Sequence, residues 1–125
     1  MIFLDTHVAV WLYAGHLGPF PADVQKRIDR EGLMISPYVQ FELSFLYEVG
    51  KVTVSPDVIV TELSRKLELS TADASVATVC GTARELSWTR DPFDRLISAH
   101  AVAADMPLVT KDRTIRNNLS LAWWG

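Results

Sequence analysis

The chain has one cysteine, three histidines and no glycine-rich loop. A lone cysteine closes no internal disulfide, which fits a reducing cytoplasm, and Cys80 reads as a small core residue on a helix. His7, His16 and His100 stand at no spacing that suits zinc, so each reads as structural. The lack of a phosphate-cradling glycine loop argues against nucleoside triphosphate binding, and no serine occupies a nucleophile elbow. No apolar run approaches the roughly 20 residues of a membrane span. The opening run Met1–Leu4 stops at Asp5, and no basic segment precedes it, so neither a membrane anchor nor a signal peptide is expected.

What is present describes a globular chain. With 125 residues, 49% hydrophobic and 22% charged, one domain spanning residues 1–125 is expected. A net charge of −3 excludes a protein that holds nucleic acid by bulk charge alone. The basic residues are nevertheless uneven, because Arg84, Arg90, Arg95, Lys111, Arg113 and Arg116 make up half of the twelve. If Asp94 and Asp112 in that stretch were neutralised by a metal, their surroundings would be locally positive.

Periodicity and punctuation predict alternating strands and helices. Met1–Leu4 reads as a buried strand, with Thr6 capping a helix through Gly15. A short helix over Ala22–Glu31 precedes a strand over Leu33–Ser36, and Pro37 opens a helix over Tyr38–Val49. Ser55-Pro56-Asp57 starts a helix through Leu67. Glu68–Ser70 reads as extended, Ala72–Leu86 as helical, and Asp91-Pro92 opens a helix over Phe93–Asp105. Pro107–Thr110 is a strand, Arg113–Asn117 a short helix and Ser120–Trp124 a final strand. Trp123-Trp124 suits either a covered sheet edge or a docking point. This alternation predicts an α/β fold, a three-layer α/β/α sandwich on a central, mainly parallel sheet. In such sheets the ligand crevice lies beyond the carboxyl ends of the strands.

Four carboxylates stand where an ordinary domain has little use for them. Asp5 ends a buried strand, where a lone charge is costly. Glu42 interrupts a helical apolar stripe of Tyr38, Val39, Phe45, Leu46 and Val49, whereas Glu48 can pair on the surface with Lys51. Facing the core, Glu42 needs a metal or an arginine such as Arg95. Asp91 reads as the N-cap of its helix with proline behind it, which leaves it a secondary metal candidate. Asp94 shares a face with Ile97 and Ala101. Asp112 alone would be a turn residue, and Thr110 two positions earlier is suited to hold a carboxylate or a metal-bound water. Two bare carboxylates about 4 Å apart repel by roughly 4 kcal/mol at an effective dielectric near 20. A gathered set therefore calls for a divalent cation, and all-oxygen donors suit Mg²⁺ or Mn²⁺.

Asp5-Thr6-His7, Ser36 followed by Glu42, Asp91-Pro92-Phe93-Asp94-Arg95-Leu96-Ile97 and Thr110-Lys111-Asp112 closely resemble the PIN-domain family, nearest to the VapC-like toxins of bacterial toxin–antitoxin pairs. The ordered set spans essentially the whole chain. Phe41 departs from the pattern by standing where many relatives carry tryptophan before the glutamate, and Ile115 by standing where an aromatic residue often follows the last aspartate. The resemblance implies a Mg²⁺- or Mn²⁺-dependent endoribonuclease, homodimeric and inhibited by a small antitoxin. It assigns Asp5, Glu42, Asp94 and Asp112 as acidic ligands, with Glu42 acting through water, and Asp91 as an acid found in part of the family. Thr6 and Thr110 would support these ligands, and Arg95, Lys111, Arg113 and Arg90 would grip RNA phosphates. An inactive domain of the same fold that binds RNA or protein, and a phosphatase acting on small molecules, are the alternatives. The apolar helical segments Val8–Tyr13 and Phe41–Val49 are candidate dimer surfaces.

Overall fold

Five short strands, all parallel, form one sheet in the order β3-β2-β1-β4-β5. The computed structural model describes all 125 residues. In chain order the elements are β1 (Ile2–Leu4), α1 (Thr6–Ala14), α2 (Ala22–Arg30), β2 (Leu33–Ile35), α3 (Pro37–Glu48), α4 (Pro56–Leu67), β3 (Ser70–Thr71), α5 (Val76–Ala83), α6 (Pro92–Ala104), β4 (Leu108–Val109), α7 (Arg113–Asn118) and β5 (Ala122–Trp123). β1 is central and wholly buried, in register with Leu33 and Met34 on one side and with Leu108 and Val109 on the other.

The connections move away from β1 through β2 to β3, then return across the sheet to β4 and β5. Because such crossovers are right-handed, the reversal places the early and late helices on opposite faces. α1, α3 and α4 pack together and α5 packs on α6, while α3 also meets α6, where the His100 ring contacts Ser36 and Tyr38. The point of reversal lies between β1 and β4, and a crevice opens there beyond the strand ends. Ile2, Leu4, Leu33, Ile35, Leu108 and Val109 fill the core between the layers, with Val8, Leu43, Ile59, Ile97 and Ile115 from the helices.

Several expectations change in detail. Asp5, not Thr6, caps α1, its side chain accepting from the Thr6 amide. The helix expected over Ala72–Leu86 begins only at Val76. The Ala72 amide still bonds to Ile35 O in the sheet, and Ser75 supplies the cap through the Thr78 amide. Glu68 is not extended but left-handed (φ 56°), closing α4, so β3 starts at Ser70. Cys80 is exposed rather than in the core, because Val79 and Ala83 take the packed side of α5. Trp123 and Trp124 cover the sheet edge. The Arg27 guanidinium lies 4.6 Å from the Trp123 ring centre, and Trp124 packs on Trp11 and Phe20.

Candidate active site

The carboxyl ends of β1 and β4 carry the crevice. Asp5 follows β1 directly, and its amide continues the ladder to Val109 O (3.0 Å). Its carboxylate is 4% exposed and held by two donors, the Thr6 amide at 2.8 Å and the Thr110 hydroxyl at 2.6 Å. Thr110, wholly buried, also accepts from the Asp112 amide at 3.1 Å. One hydroxyl thus fixes the relation between two acids from opposite ends of the chain. His7 adds a third support. Its Nε2 accepts from the Lys111 amide (3.1 Å), which leaves Nδ1 to carry the proton 3.5 Å from Asp5 Oδ2.

Helix starts deliver the remaining acids. Asp112 caps α7 by accepting from the Ile115 amide, and Asp91 caps α6 by accepting from the Asp94 amide. Asp5, Asp91 and Asp112 all line the cleft, so the positive ends of three helix dipoles meet it. That placement lets the fold tolerate a pooled negative charge. Glu42 sits one turn into α3, half-buried, and accepts a hydrogen bond from the Thr6 hydroxyl. Thr6 is therefore a partner of Glu42 and not a cap. The arginine offered as its alternative partner is elsewhere, since Arg95 donates to Ala83 O and Arg84 O at the end of α5.

The cleft holds about 390 Å³ and brings together Asp5, Thr6, Glu42, Asp91, Asp94 and Asp112. Its electrostatics differ from an ordinary surface. Burial, and then the charges of Asp91, Asp5, Asp112 and Glu42, push the Asp94 carboxyl up to about 7. Burial also raises Glu42, the Thr6 hydroxyl pulls it partly back, and Asp5 and Asp91 raise it further. No lysine or arginine forms an ion pair with any of these acids. As the side chains stand, no three of them converge on one metal-binding point. The donor set still fits a hard divalent ion. It is all oxygen, it lacks a counter-charge, and it combines a pinned ligand in Asp5 with one in Asp94 whose carboxylate accepts no hydrogen bond.

The basic candidates are less gathered. Arg90 and Arg95 line a separate shallow depression with Cys80 and Ala83, and Arg90 donates to Ser87 O. Lys111 stands beside the cleft with its ammonium 5.8 Å from the Trp11 ring centre, and Arg113 is exposed. Sequence reading missed Lys51, which lines the cleft instead of pairing with Glu48. It lies in the unpatterned segment Gly50–Ser55, where periodicity carries no signal. The Glu42 stripe is also only half right. Val39 is buried, but Phe45 and Val49 are exposed, and Phe41 and Phe45 pack on Phe93 as a surface aromatic group.

Comparison with known proteins agrees with this geometry. The family model of the PIN domain matches residues 2–118. Ribonuclease VapC22 of Mycobacterium tuberculosis (strain ATCC 25618 / H37Rv) is 31% identical over 119 residues, covering 94% of this chain and 91% of that protein. Among solved structures, VapBC2 from Rickettsia felis, bound to a DNA fragment from their promoter, superposes with a TM-score of 0.68 at 22% identity, covering 94% of this chain and 93% of that one. FitAcB from Neisseria gonorrhoeae superposes with a TM-score of 0.59 at 19% identity, covering 100% and 97%. With strand order, acid placement and a match over nearly its whole length in agreement, the chain belongs to the PIN domain family.

Proposed function

We propose that this protein is a Mg²⁺- or Mn²⁺-dependent endoribonuclease, the toxin of a cytoplasmic toxin–antitoxin pair. The observation that carries the reading is the acid cleft at the β1/β4 switch point, whose carboxylates form no ion pair with lysine or arginine, with Asp94 raised to about 7 by burial and then by the neighbouring acids. The likeness to a ribonuclease over nearly the whole chain supports the same chemistry.

In this reading Asp5, Asp94 and Asp112 hold the ion, and Asp91 adds negative charge beside Asp94. A divalent ion there supplies an acidified water and stabilises charge developing on the phosphate oxygens. Thr110 and His7 keep Asp5 in one orientation, which spares the site reorganisation during the reaction. Glu42 orients the attacking water, and burial lifts its pKa above the ordinary carboxylate value, which makes it a stronger base than a surface glutamate. Lys111 and Arg113, at the start of α7, hold flanking phosphates of the RNA. Arg90 and Arg95, in their separate depression, would meet only more distant phosphates, with Arg95 largely committed to α5.

The partner is a small antitoxin, as in the VapBC complexes of the same fold. We assign the homodimer surface to the outer face of α3. Phe41 is 67% exposed there, and Tyr47 and Val49 are also open to water. The other candidate segment, Val8–Tyr13, places Val8 and Ala9 wholly in the core.

Purified chain mixed with single-stranded RNA tests the activity. Cleavage with Mg²⁺ or Mn²⁺, blocked by EDTA and lost in Asp94→Asn, is expected. Equal cleavage by Asp94→Asn, or none by the wild type under any divalent ion, overturns the reading.

A further inference from the structure

The acid cleft has a second half that the metal reading leaves unused. Thr6 and Glu42 touch near the sheet. Val10 and Leu46 lie four residues on, so each stands about 6 Å, just over one helical turn, farther along α1 and α3. Trp11 and Val52 extend this apolar shelf, and all four residues line the same cleft as the acids. The turn after α3 is pinned, because the amides of Lys51 and Val52 both donate to Leu46 O (2.9 and 3.2 Å). That fixes the Lys51 backbone at the rim. Its side chain is exposed and makes no ion pair or hydrogen bond, although carboxylates line the cleft beside it. Across the shelf the Lys111 ammonium lies by the Trp11 ring.

Size separates the two halves. An ion held by three carboxylates, with the few waters left on it, would fill only the acidic part of the 390 Å³ cleft. The part beyond it is bounded by aromatic and aliphatic carbon, with the Lys51 and Lys111 ammonium groups at its edge. Apolar walls with cationic rims match a nucleotide, whose flat base seeks carbon surface while its phosphate seeks charge.

We propose that this shelf is a nucleotide subsite. It seats the base next to the scissile phosphate against Val10, Leu46, Val52 and the edge of Trp11, with Lys51 on the adjoining phosphate. The inference rests on the ribonuclease reading and names the part of the site that grips substrate.

The experiment uses the full chain carrying Asp94→Asn and a fluorescein-labelled single-stranded RNA decamer, with anisotropy read across a salt series in Mg²⁺. Adding Lys51→Ala should weaken binding about five- to tenfold for every base sequence. It should also reduce the salt slope by about 0.7, as loss of one single-strand phosphate contact does. Adding Val52→Trp, which fills the shelf, should weaken binding and change the preferred base at one position. Arg65→Ala, on the distant surface of α4, should change neither quantity. In otherwise wild-type chain, Lys51→Ala should raise KM by the same factor and keep kcat within about twofold. Unchanged affinity and slope in Lys51→Ala, with the unfolding midpoint preserved, overturns the subsite. The two readings fail separately. A wild type that never cuts RNA removes the nuclease, whereas cutting with no Lys51 or Val52 effect removes only the shelf.

Discussion

Two populations of carboxylates divide the molecule. On α2 and α4, Glu31 pairs with Arg27, and Glu62 pairs with Arg65 and Lys66, within one helical turn. Those hydrogen bonds hold Glu31 and Glu62 below the usual carboxylate range. In the cleft, Asp94 and Glu42 have no cationic partner and are driven upward by burial first and then by the charges of neighbouring acids, Asp5 and Asp91 among them. The first group is arranged by local helix spacing and faces water, where exposed pairs contribute about 0–1 kcal/mol. The second is arranged by topology, from residues far apart in sequence. Charge that helical spacing satisfies is surface chemistry, whereas charge that the fold concentrates and leaves unpaired marks a candidate functional site.

This contrast breaks most readily at its acidic pole. Asp94→Asn or Asp5→Asn should lower cleavage at least about 1,000-fold while the chain stays folded, measured by RNA turnover beside circular dichroism. Thr110→Val removes the donor that orients Asp5 and steadies the Asp112 amide, and should cost about 10–100-fold in activity or in Mn²⁺ affinity.

The pH dependence sharpens the same comparison. Folded Asp94 keeps its proton up to about 7, whereas the unfolded chain loses it near the ordinary value of 3.8. Between those values the folded state binds more protons, so metal-free stability falls as pH rises through the window. After allowance for water screening the loss is about 1 kcal/mol. The difference in unfolding midpoint between wild type and Asp94→Asn should therefore widen with pH in EDTA, and saturating Mg²⁺ should close it. A difference independent of pH contradicts the crowding of negative charge around Asp94. The smallest effect belongs to the paired population. Glu62→Gln should leave the unfolding midpoint and RNA cleavage almost unaltered, because an exposed ion pair is screened by water.

Much of this architecture is legible in the sequence because its signals are local. Apolar runs mark β1 and β4, and Asp91-Pro92 and Ser36-Pro37 mark the starts of α6 and α3. Asp5 and Asp112 can be placed in one crevice before any coordinates, since both follow strands of a parallel sheet. What depends on direction is less readable. The Arg95 side chain reaches back to α5 rather than toward the acids, and Cys80 lies one position beyond the packed face. Asp5 takes the capping role expected of Thr6, because either side chain can cap a helix and only the neighbouring α3 draws the Thr6 hydroxyl to Glu42. Lys51 escapes altogether, since no periodic pattern governs the turn that presents it.

The hydrogen bond from Thr110 to Asp5 spans a sequence separation of 105 residues. During synthesis, a growing polypeptide holds β1 and α1 long before β4 has left the ribosome. Any chemistry that requires Asp5 and Asp112 together is therefore silent through most of translation and begins only when the late strands insert beside β1. Long-range assembly of this kind makes the cleft one of the last features that a newly made molecule completes.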